Sequence, residues 1–225
     1  MRHGASAITG GGASQPAQHL DGFLDAFDGV DGEHAFLWTK RVMKDLGVLP
    51  GTTASSAYAI NTAGHVVGIA EGGGLQRAYL YRDGVMLDLQ PNEPSPFSGA
   101  RGLDDADQVV GYASLASPSG VVQSQAFLWD DGVMKPLGMA RSTDTSSSAT
   151  AINNHGVVVG ISTSYKNPVG FVYDGSSMAD LNTLVDNASG WVFTDALSIN
   201  DKVQITGNGL YGGIPHPYLL TPIVK

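Results

Sequence analysis

The chain has 225 residues, a net charge of −9 and a pI of about 4.8, and it contains no cysteine. Disulfides, thiolate catalysis and cysteine-ligated zinc are therefore excluded. A nucleic-acid-binding protein needs clustered basic residues to neutralise phosphates, and the 12 Lys and Arg residues are scattered, so we expect no nucleic-acid partner. No apolar run is long enough for a membrane span.

Composition favours strands over helices. Hydrophobic residues make up 42% of the chain, charged residues only 15%, and glycine occurs 30 times. Such a chain can bury a core, and its many glycines suit short strands joined by tight turns. We therefore expect one all-β domain spanning residues 1–225.

A tandem repeat runs through this domain. Its most visible element is an aromatic tetrapeptide whose second residue recurs every 43 to 48 positions, at Phe36, Tyr79, Phe127, Phe171 and Tyr218. A period in that range is typical of repeat architectures. The repeat units cover approximately residues 5–50, 57–90, 99–138, 148–182 and 195–221.

Each unit contains four short apolar segments, in the same order along the chain. The first alternates small and apolar residues, at 5–9, 57–61, 100–104, 149–153 and 196–200. The second is Val-Val-Gly or a close variant, at 66–68, 109–111, 158–160 and 205–207. The third is the aromatic tetrapeptide, at 35–38, 78–81, 126–129, 170–173 and 217–220. The fourth lies at 42–46, 85–89, 133–137 and 177–181.

These segments predict strands, because they are short and rich in Val, Ile and aromatic residues. Turn sequences join them, such as Asn61–Gly64 between the first and second segments and Asp83-Gly84 between the third and fourth. Four antiparallel strands in about 45 residues predict a propeller blade, so we expect a five-bladed β-propeller. The small first segments suit inner strands, and the Trp and Tyr positions suit the space between blades.

Two units depart from the pattern. The first unit lacks a Val-Val-Gly segment, and Leu20–Phe27 either replaces it or forms a loop. The last unit ends soon after Leu220, so its fourth strand is missing. The ring could close through the N-terminal residues, leave a short outer edge, or need residues that this chain lacks. An exposed edge strand can pair with another copy, so we expect a monomer or an edge-mediated dimer.

The chain resembles the HAF repeat family, named for His-Ala-Phe. The signature is His34-Ala35-Phe36-Leu37-Trp38, and its continuation matches Asp45–Gly51, Ser56–Asn61 and Gly64–Gly68. The resemblance extends over residues 34–220. It implies a bacterial, extracellular repeat protein and carries over no catalytic residue. Residues 1–12 lack the apolar segment of a signal peptide, so the sequence itself contains no export signal.

One column of polar residues could form a site. Asn61, Asp104, Asn153 and Asn200 each follow a predicted inner strand, and in a closed ring they would surround the mouth of the channel. Converging oxygen atoms could bind Ca²⁺ or another divalent cation. Alternatively, each residue shapes its own turn without any ligand, since Asn and Asp are common turn formers. The fifth copy has Thr9 at this position.

Other polar residues give weaker signals. The six histidines include no His-x-x-x-His pair, and we expect them to be surface or structural residues. His3, His19 and His34 lie near the irregular first unit. The acidic stretch Asp21–Glu33 does not match the spacing of an EF-hand loop and predicts a solvated loop.

Three functions are compatible with this sequence. The first is an exported binding or interaction module whose partner is a small molecule, a glycan or a protein. The second is a metal-dependent hydrolase of esters, lactones or phosphotriesters, in which the Asn/Asp column binds the metal and a nearby histidine is the base. The third is a lectin in which Trp38 and Trp129 stack on sugars, although packing between blades also explains these two residues.

Overall fold

The computed structural model describes residues 33–39, 41–90, 97–116, 120–185 and 190–223, and the backbone of residues 6–7 and 21–22. This part of the chain is all-β, and it contains no α-helix. Near the N-terminus β1 (Ser6–Ala7), within the predicted first segment, pairs antiparallel with β2 (Asp21–Gly22), which lies in the stretch Leu20–Phe27 predicted to hold a strand or a loop. The next pair is the hairpin of β3 (Phe36–Thr39) and β4 (Val42–Asp45).

Four larger antiparallel sheets follow, which we name sheets A to D. Sheet A comprises β5 (Ala54–Ile60), β6 (Val66–Gly72), β7 (Leu75–Arg82) and β8 (Val85–Asp88). Sheet B comprises β9 (Ser98–Leu103), β10 (Val109–Ala116), β11 (Val122–Asp130) and β12 (Val133–Gly138). Sheet C comprises β13 (Ser146–Ile152), β14 (Val158–Ser164), β15 (Asn167–Tyr173) and β16 (Met178–Asp180). In each of these sheets the strands lie side by side in chain order, as the four-segment repeat predicts.

Sheet D has a different first strand. It comprises β17 (Trp191–Phe193), β18 (Ser198–Ile199), β19 (Ile205–Tyr211) and β20 (Ile214–Leu220). Both β17 and β18 pair with one side of β19, while β20 pairs with the other side. The first strand is therefore interrupted at residues 194–197, and among the described residues β20 has no strand partner other than β19, as expected for a unit without a fourth strand. A single 3-10 turn, Leu181–Thr183, links sheet C to this region.

Neighbouring sheets pack face to face. Two consecutive residues of one strand contribute to the two opposite interfaces of its sheet. Val66 packs against the β3–β4 hairpin, whereas Val67 packs against sheet B. Val109 and Val110 divide in the same way between sheets A and C. Side chains alternate between the two faces of a strand, so a Val-Val pair supplies one buried side chain to each interface. Burial of each valine contributes about 1.5 to 3 kcal/mol.

The aromatic positions fill the interfaces, with one exception. Tyr79, Phe127 and Phe171 have no exposed surface, and Trp129 is 6% exposed. Trp38 is 39% exposed, so the described residues do not bury it between two sheets as they bury Trp129. The outward face of sheet D is also uncovered by the described residues: Leu219, which corresponds to the core residue Leu80, is 62% exposed.

The glycine of the Val-Val-Gly segment is required by a close backbone approach. A Cβ at Gly111 would overlap the carbonyl oxygen of Gly99 on β9, and one at Gly68 would overlap the carbonyl oxygen of Ser56 on β5. The approach occurs beside β-bulges that shift the register by one residue on β5, β9 and β13. A bulge inserts an unpaired residue and bends the strand, which here presses the first strand onto the second. No helix in the described part of the chain is long and apolar enough to cross a membrane.

Candidate functional site

The Asn/Asp column lies in four turns of the same geometry. The side-chain oxygen of Asn61 accepts hydrogen bonds from the backbone N–H groups of Ala63 and His65, at 3.1 and 3.0 Å. Asp104, Asn153 and Asn200 also accept from the second and fourth residues that follow, at 2.8 to 3.0 Å. Each of the four predicted site residues therefore shapes the turn between the first and second strands of its sheet.

Two of these residues also join neighbouring sheets. The side-chain amide of Asn61 donates to the backbone oxygen of Asp104 at 3.1 Å, and that of Asn153 donates to the backbone oxygen of Asn200 at 3.0 Å. Asn200 instead donates within its own turn, to Gln204 Oε1 at 2.9 Å. The ionised carboxylate of Asp104 has no hydrogen to donate, so the matching bond to Asn153 cannot form.

The next residue of each turn forms a second set of bonds between sheets. The backbone N–H of Thr62 donates to the Asp105 carboxylate at 3.0 Å. The N–H of Asp105 donates to the side-chain oxygen of Asn154 at 3.0 Å, and the N–H of Asn154 donates to Asp201 at 2.9 Å. Four turns from four sheets are thus linked in series. Sequence analysis missed this set, although its residues recur at one repeat position.

Asp104 is the one residue of the Asn/Asp column whose side chain can ionise. Burial raises the pKa of its carboxyl above the ordinary value, hydrogen bonds from the N–H groups of Gln108 and Ala106 oppose the rise, and the nearby Asp105 and Asp130 add to it. Asp104 is 5% exposed. Its ionised form is therefore less stable here than in water.

Cation binding by this column stays a prediction. The side-chain oxygens of Asn61, Asn153 and Asn200 each already accept two backbone hydrogen bonds, which engages the atoms that would coordinate a hard cation. Within the ranges that the structure describes, no group of three or more His, Cys, Asp and Glu side chains is placed to bind a metal ion. Thr9 lies outside the described residues.

A polar cluster joins sheets A and B beside the column. Asp107 Oδ1 lies 2.7 Å from His65 Nδ1 and accepts from the Asn61 amide at 2.8 Å, while Asp107 Oδ2 lies 3.6 Å from Arg82 Nη1. Asp107 has φ of +64° at a turn position that is Gly64 in sheet A. An aspartate replaces glycine here at some backbone cost and brings a carboxylate to the neighbouring histidine.

The other described histidines lie apart from this cluster. His34 Nδ1 lies 2.9 Å from Asp45 Oδ2 across the β3–β4 hairpin. Burial alone would raise the pKa of the Asp45 carboxyl, but hydrogen bonds from His34 and from the N–H of Gly47 hold it below its ordinary value. His155 and His216 are exposed. His3, His19 and most of Asp21–Glu33 lie outside the described residues.

Two more repeat positions hold the sheets together. The N–H of Ala78 donates to Ser98 Oγ at 3.0 Å, and the N–H of Ala126 donates to Ser147 Oγ at 2.9 Å, so third strands bind the first strands of the next sheet. Bulged residues of neighbouring first strands also meet: the Arg101 guanidinium on β9 stacks over the Tyr58 ring on β5, 4.1 Å from its centroid. Both kinds of residue recur at fixed positions of the repeat. The positions of Tyr58 and Arg101 nevertheless depend on the β-bulges, which the sequence does not reveal.

The chain matches none of the protein-family models and none of the curated proteins with which it was compared.

Proposed function

We propose that this protein is an exported bacterial binding module of the HAF repeat type. The observation that carries the proposal is that the repeated polar side chains already form hydrogen bonds within the protein. Asn61, Asn153 and Asn200 each use their side-chain oxygen and amide in turn-shaping or neighbouring-group hydrogen bonds. These repeated groups build a scaffold, which leaves recognition to surface residues that differ from one unit to the next.

We further propose that the sheets are blades of a five-bladed propeller. Face-to-face packing of successive four-stranded sheets supports this arrangement, as does the chain of turns from Thr62 to Asp201. The uncovered face of sheet D would then meet the first unit. A compact domain of this length has a radius of gyration of about 17 Å, and an open arc is larger. Small-angle X-ray scattering distinguishes the two, and its mass estimate separates a monomer from an edge-mediated dimer.

A direct test compares binding with hydrolysis. The full chain is assayed for saturable binding on glycan and peptide arrays and in a small-molecule thermal-shift screen. It is assayed in parallel for hydrolysis of an aryl ester, a lactone and a phosphotriester, with added Ca²⁺ and with EDTA. We expect a saturable ligand, no turnover and no change of thermal stability with EDTA.

Two results would contradict the proposal. Turnover that EDTA abolishes would establish the metal-dependent hydrolase instead, and loss of turnover in Asp104→Asn would place the metal at the column. A failure of every ligand class to bind would remove the binding module as well. Export is tested separately, by fractionating the producing bacterium and locating the protein with an antibody; a purely cytoplasmic signal would contradict it.

A further inference from the structure

Sheet D differs from the other sheets at two equivalent positions of the repeat. Counted back from the Asn of the following turn, Trp191 aligns with Thr52, just before sheet A, and with Asp144, just before sheet C. Tyr211 occupies the position held by Gly72 in sheet A, Leu115 in sheet B and Ser164 in sheet C. At these two positions sheet D alone has aromatic residues among the described units.

These residues form a cluster with His216. The ring centroids of Trp191 and Tyr211 are 5.3 Å apart, and those of His216 lie 6.2 Å from Trp191 and 6.3 Å from Tyr211. Tyr211 is 51% exposed, His216 is exposed, and Trp191 is half-buried. We call these three residues the aromatic platform.

Ring packing against core residues holds the aromatic platform in place. The Trp191 ring stacks on Phe193 with an interplanar angle of 6°, and Phe193 meets the buried Tyr218 edge to face at 4.7 Å. Beside the rings, the N–H of Gly212 donates to the oxygen of Gly190 at 2.8 Å. The rings are thus held in place before any ligand arrives, which lowers the entropy cost of binding.

The platform is also uncharged. Residues 190–193 and 209–218 contain no Asp, Glu, Lys or Arg, in a chain whose net charge is −9. A neutral ligand matches this surface better than an ionic one. The negative faces of aromatic rings attract the slightly positive C–H groups of a sugar ring, and the His216 imidazole with the glycine backbone can hydrogen-bond hydroxyl groups.

We propose that the aromatic platform of Trp191, Tyr211 and His216 binds a neutral pyranose unit of a glycan. Of the two sugar-stacking residues considered from the sequence, Trp129 is buried between sheets A and B and cannot contact a sugar, whereas Trp38 is 39% exposed and lies outside the aromatic platform. The inference rests on the proposed binding function and names its ligand class and its location.

The test uses an array of neutral hexose and N-acetylhexosamine oligosaccharides, followed by titration calorimetry with the best binder. Tyr211→Ala is the main variant, since an exposed side chain is not needed for folding. We expect it to weaken binding about tenfold or more, and Tyr211→Phe to retain most of the affinity. The matched control is Tyr165→Ala, which removes a tyrosine that is 91% exposed in the β14–β15 turn of sheet C; its affinity should equal that of the unmodified chain.

Each alternative result has a distinct meaning. Absence of any neutral glycan on the array, or equal affinity in Tyr211→Ala and the unmodified chain, overturns the glycan site. If a peptide or small molecule then binds saturably, the binding module stands and only its ligand class was wrong. If no class binds, the proposed function fails too. Trp191→Ala, checked for folding by circular dichroism, must weaken glycan binding as Tyr211→Ala does.

Discussion

The side-chain amide of Asn153 donates to the backbone oxygen of Asn200 at 3.0 Å and so joins the first turn of sheet C to that of sheet D. The oxygen of the same side chain accepts from the N–H groups of His155 and Val157, each at 3.0 Å. Asn153 is only 1% exposed. One buried side chain therefore shapes its own turn and fixes the position of the next.

Replacing Asn153 by Asp should destabilise the protein. The carboxylate keeps the two accepted bonds but faces the carbonyl oxygen of Asn200 with no hydrogen to donate. We expect a loss of about 2 kcal/mol or more in the free energy of unfolding at pH 7, measured by urea denaturation.

Asn200→Asp is the matched control for this change. Its amide donates to Gln204 Oε1, and the Gln204 amide can rotate to donate to a carboxylate instead. Its stability should stay within about 0.5 kcal/mol of the unmodified chain. Equal losses in the two variants would mean that the bond between sheets contributes nothing.

Replacing Asp104 by Asn should stabilise the protein at neutral pH. The new amide keeps the turn and can donate to the backbone oxygen of Asn153, which completes the series begun by Asn61. Burial raises the pKa of Asp104, so the native state holds this proton more tightly than the unfolded chain. The free energy of unfolding contributed by Asp104 therefore falls as the pH rises above about 4. We expect Asp104→Asn to gain about 1 kcal/mol at pH 7.

The pH dependence checks this explanation. Below about pH 4 the carboxyl is protonated in both states, so the part of the gain that comes from its charge should disappear. Urea midpoints of the two proteins, measured from pH 3 to pH 8, give the difference directly. A gain of constant size at every pH would contradict the role of the charge.

Replacing Gly111 by Ala should be among the most damaging small substitutions. Its Cβ would overlap the backbone oxygen of Gly99, which cannot move without opening the β9–β10 pairing. We expect a loss of about 3 kcal/mol, at the upper end for overpacking. Gly132→Ala in the same sheet is the control, because a Cβ there meets nothing within 4 Å and only the φ of +89° is unfavourable; it should cost about 1 kcal/mol. Thermal denaturation ranks the two, and a reversed order would refute the close-approach explanation.

Acid stability should depend on Asp144. Its side chain is fully buried and accepts from Arg141 Nη2 at 2.7 Å and from Ser162 Oγ at 2.7 Å. Burial alone would raise the pKa of Asp144, but these hydrogen bonds and the Arg141 charge hold it below the ordinary value. The stabilisation is therefore present above about pH 4 and is lost as the pH falls through the lower native pKa.

The Asp144→Asn variant measures this effect. At pH 7 it should lose about 2 kcal/mol, because Arg141, whose side chain is 29% exposed, loses a charge-assisted hydrogen bond to a buried carboxylate. The difference from the unmodified chain should shrink steadily below about pH 4. Chemical denaturation at several pH values gives both numbers. A difference that does not change between pH 7 and pH 2.5 would exclude ionisation of Asp144 as the cause.

Much of the fold could be predicted because the same pattern of strand and turn segments recurs in several units, which makes each assignment less ambiguous than a single segment would. The Val66-Val67 pair predicted a buried strand, and the structure places one valine in each of two interfaces. Asp83-Gly84 predicted a hairpin turn, and both residues have positive φ, as a type I′ turn requires. Trp38 could not be placed in this way, because its burial depends on a neighbouring unit and not on its own segment.

The candidate site was harder to predict. The column of Asn61, Asp104, Asn153 and Asn200 was visible in the sequence, but the same residue types suit a turn and a cation. The hydrogen bonds from each turn to the next depend on how closely two sheets approach. The cluster of Trp191, Tyr211 and His216 was missed, although Trp191 and Tyr211 depart from the repeat at positions that an alignment of the units would have revealed.

The sequence by itself determined most of the strands, their order within sheets A to C and the turns, because these depend on alternation and on turn-forming residues within one unit; β17 lies outside the predicted segments. Only the tertiary structure decided which polar side chains contact a neighbouring sheet. Asn61 and Asn153 bind backbone oxygens that are more than 40 residues away along the chain. Such contacts are set by the packing of one sheet on the next, which no local pattern encodes.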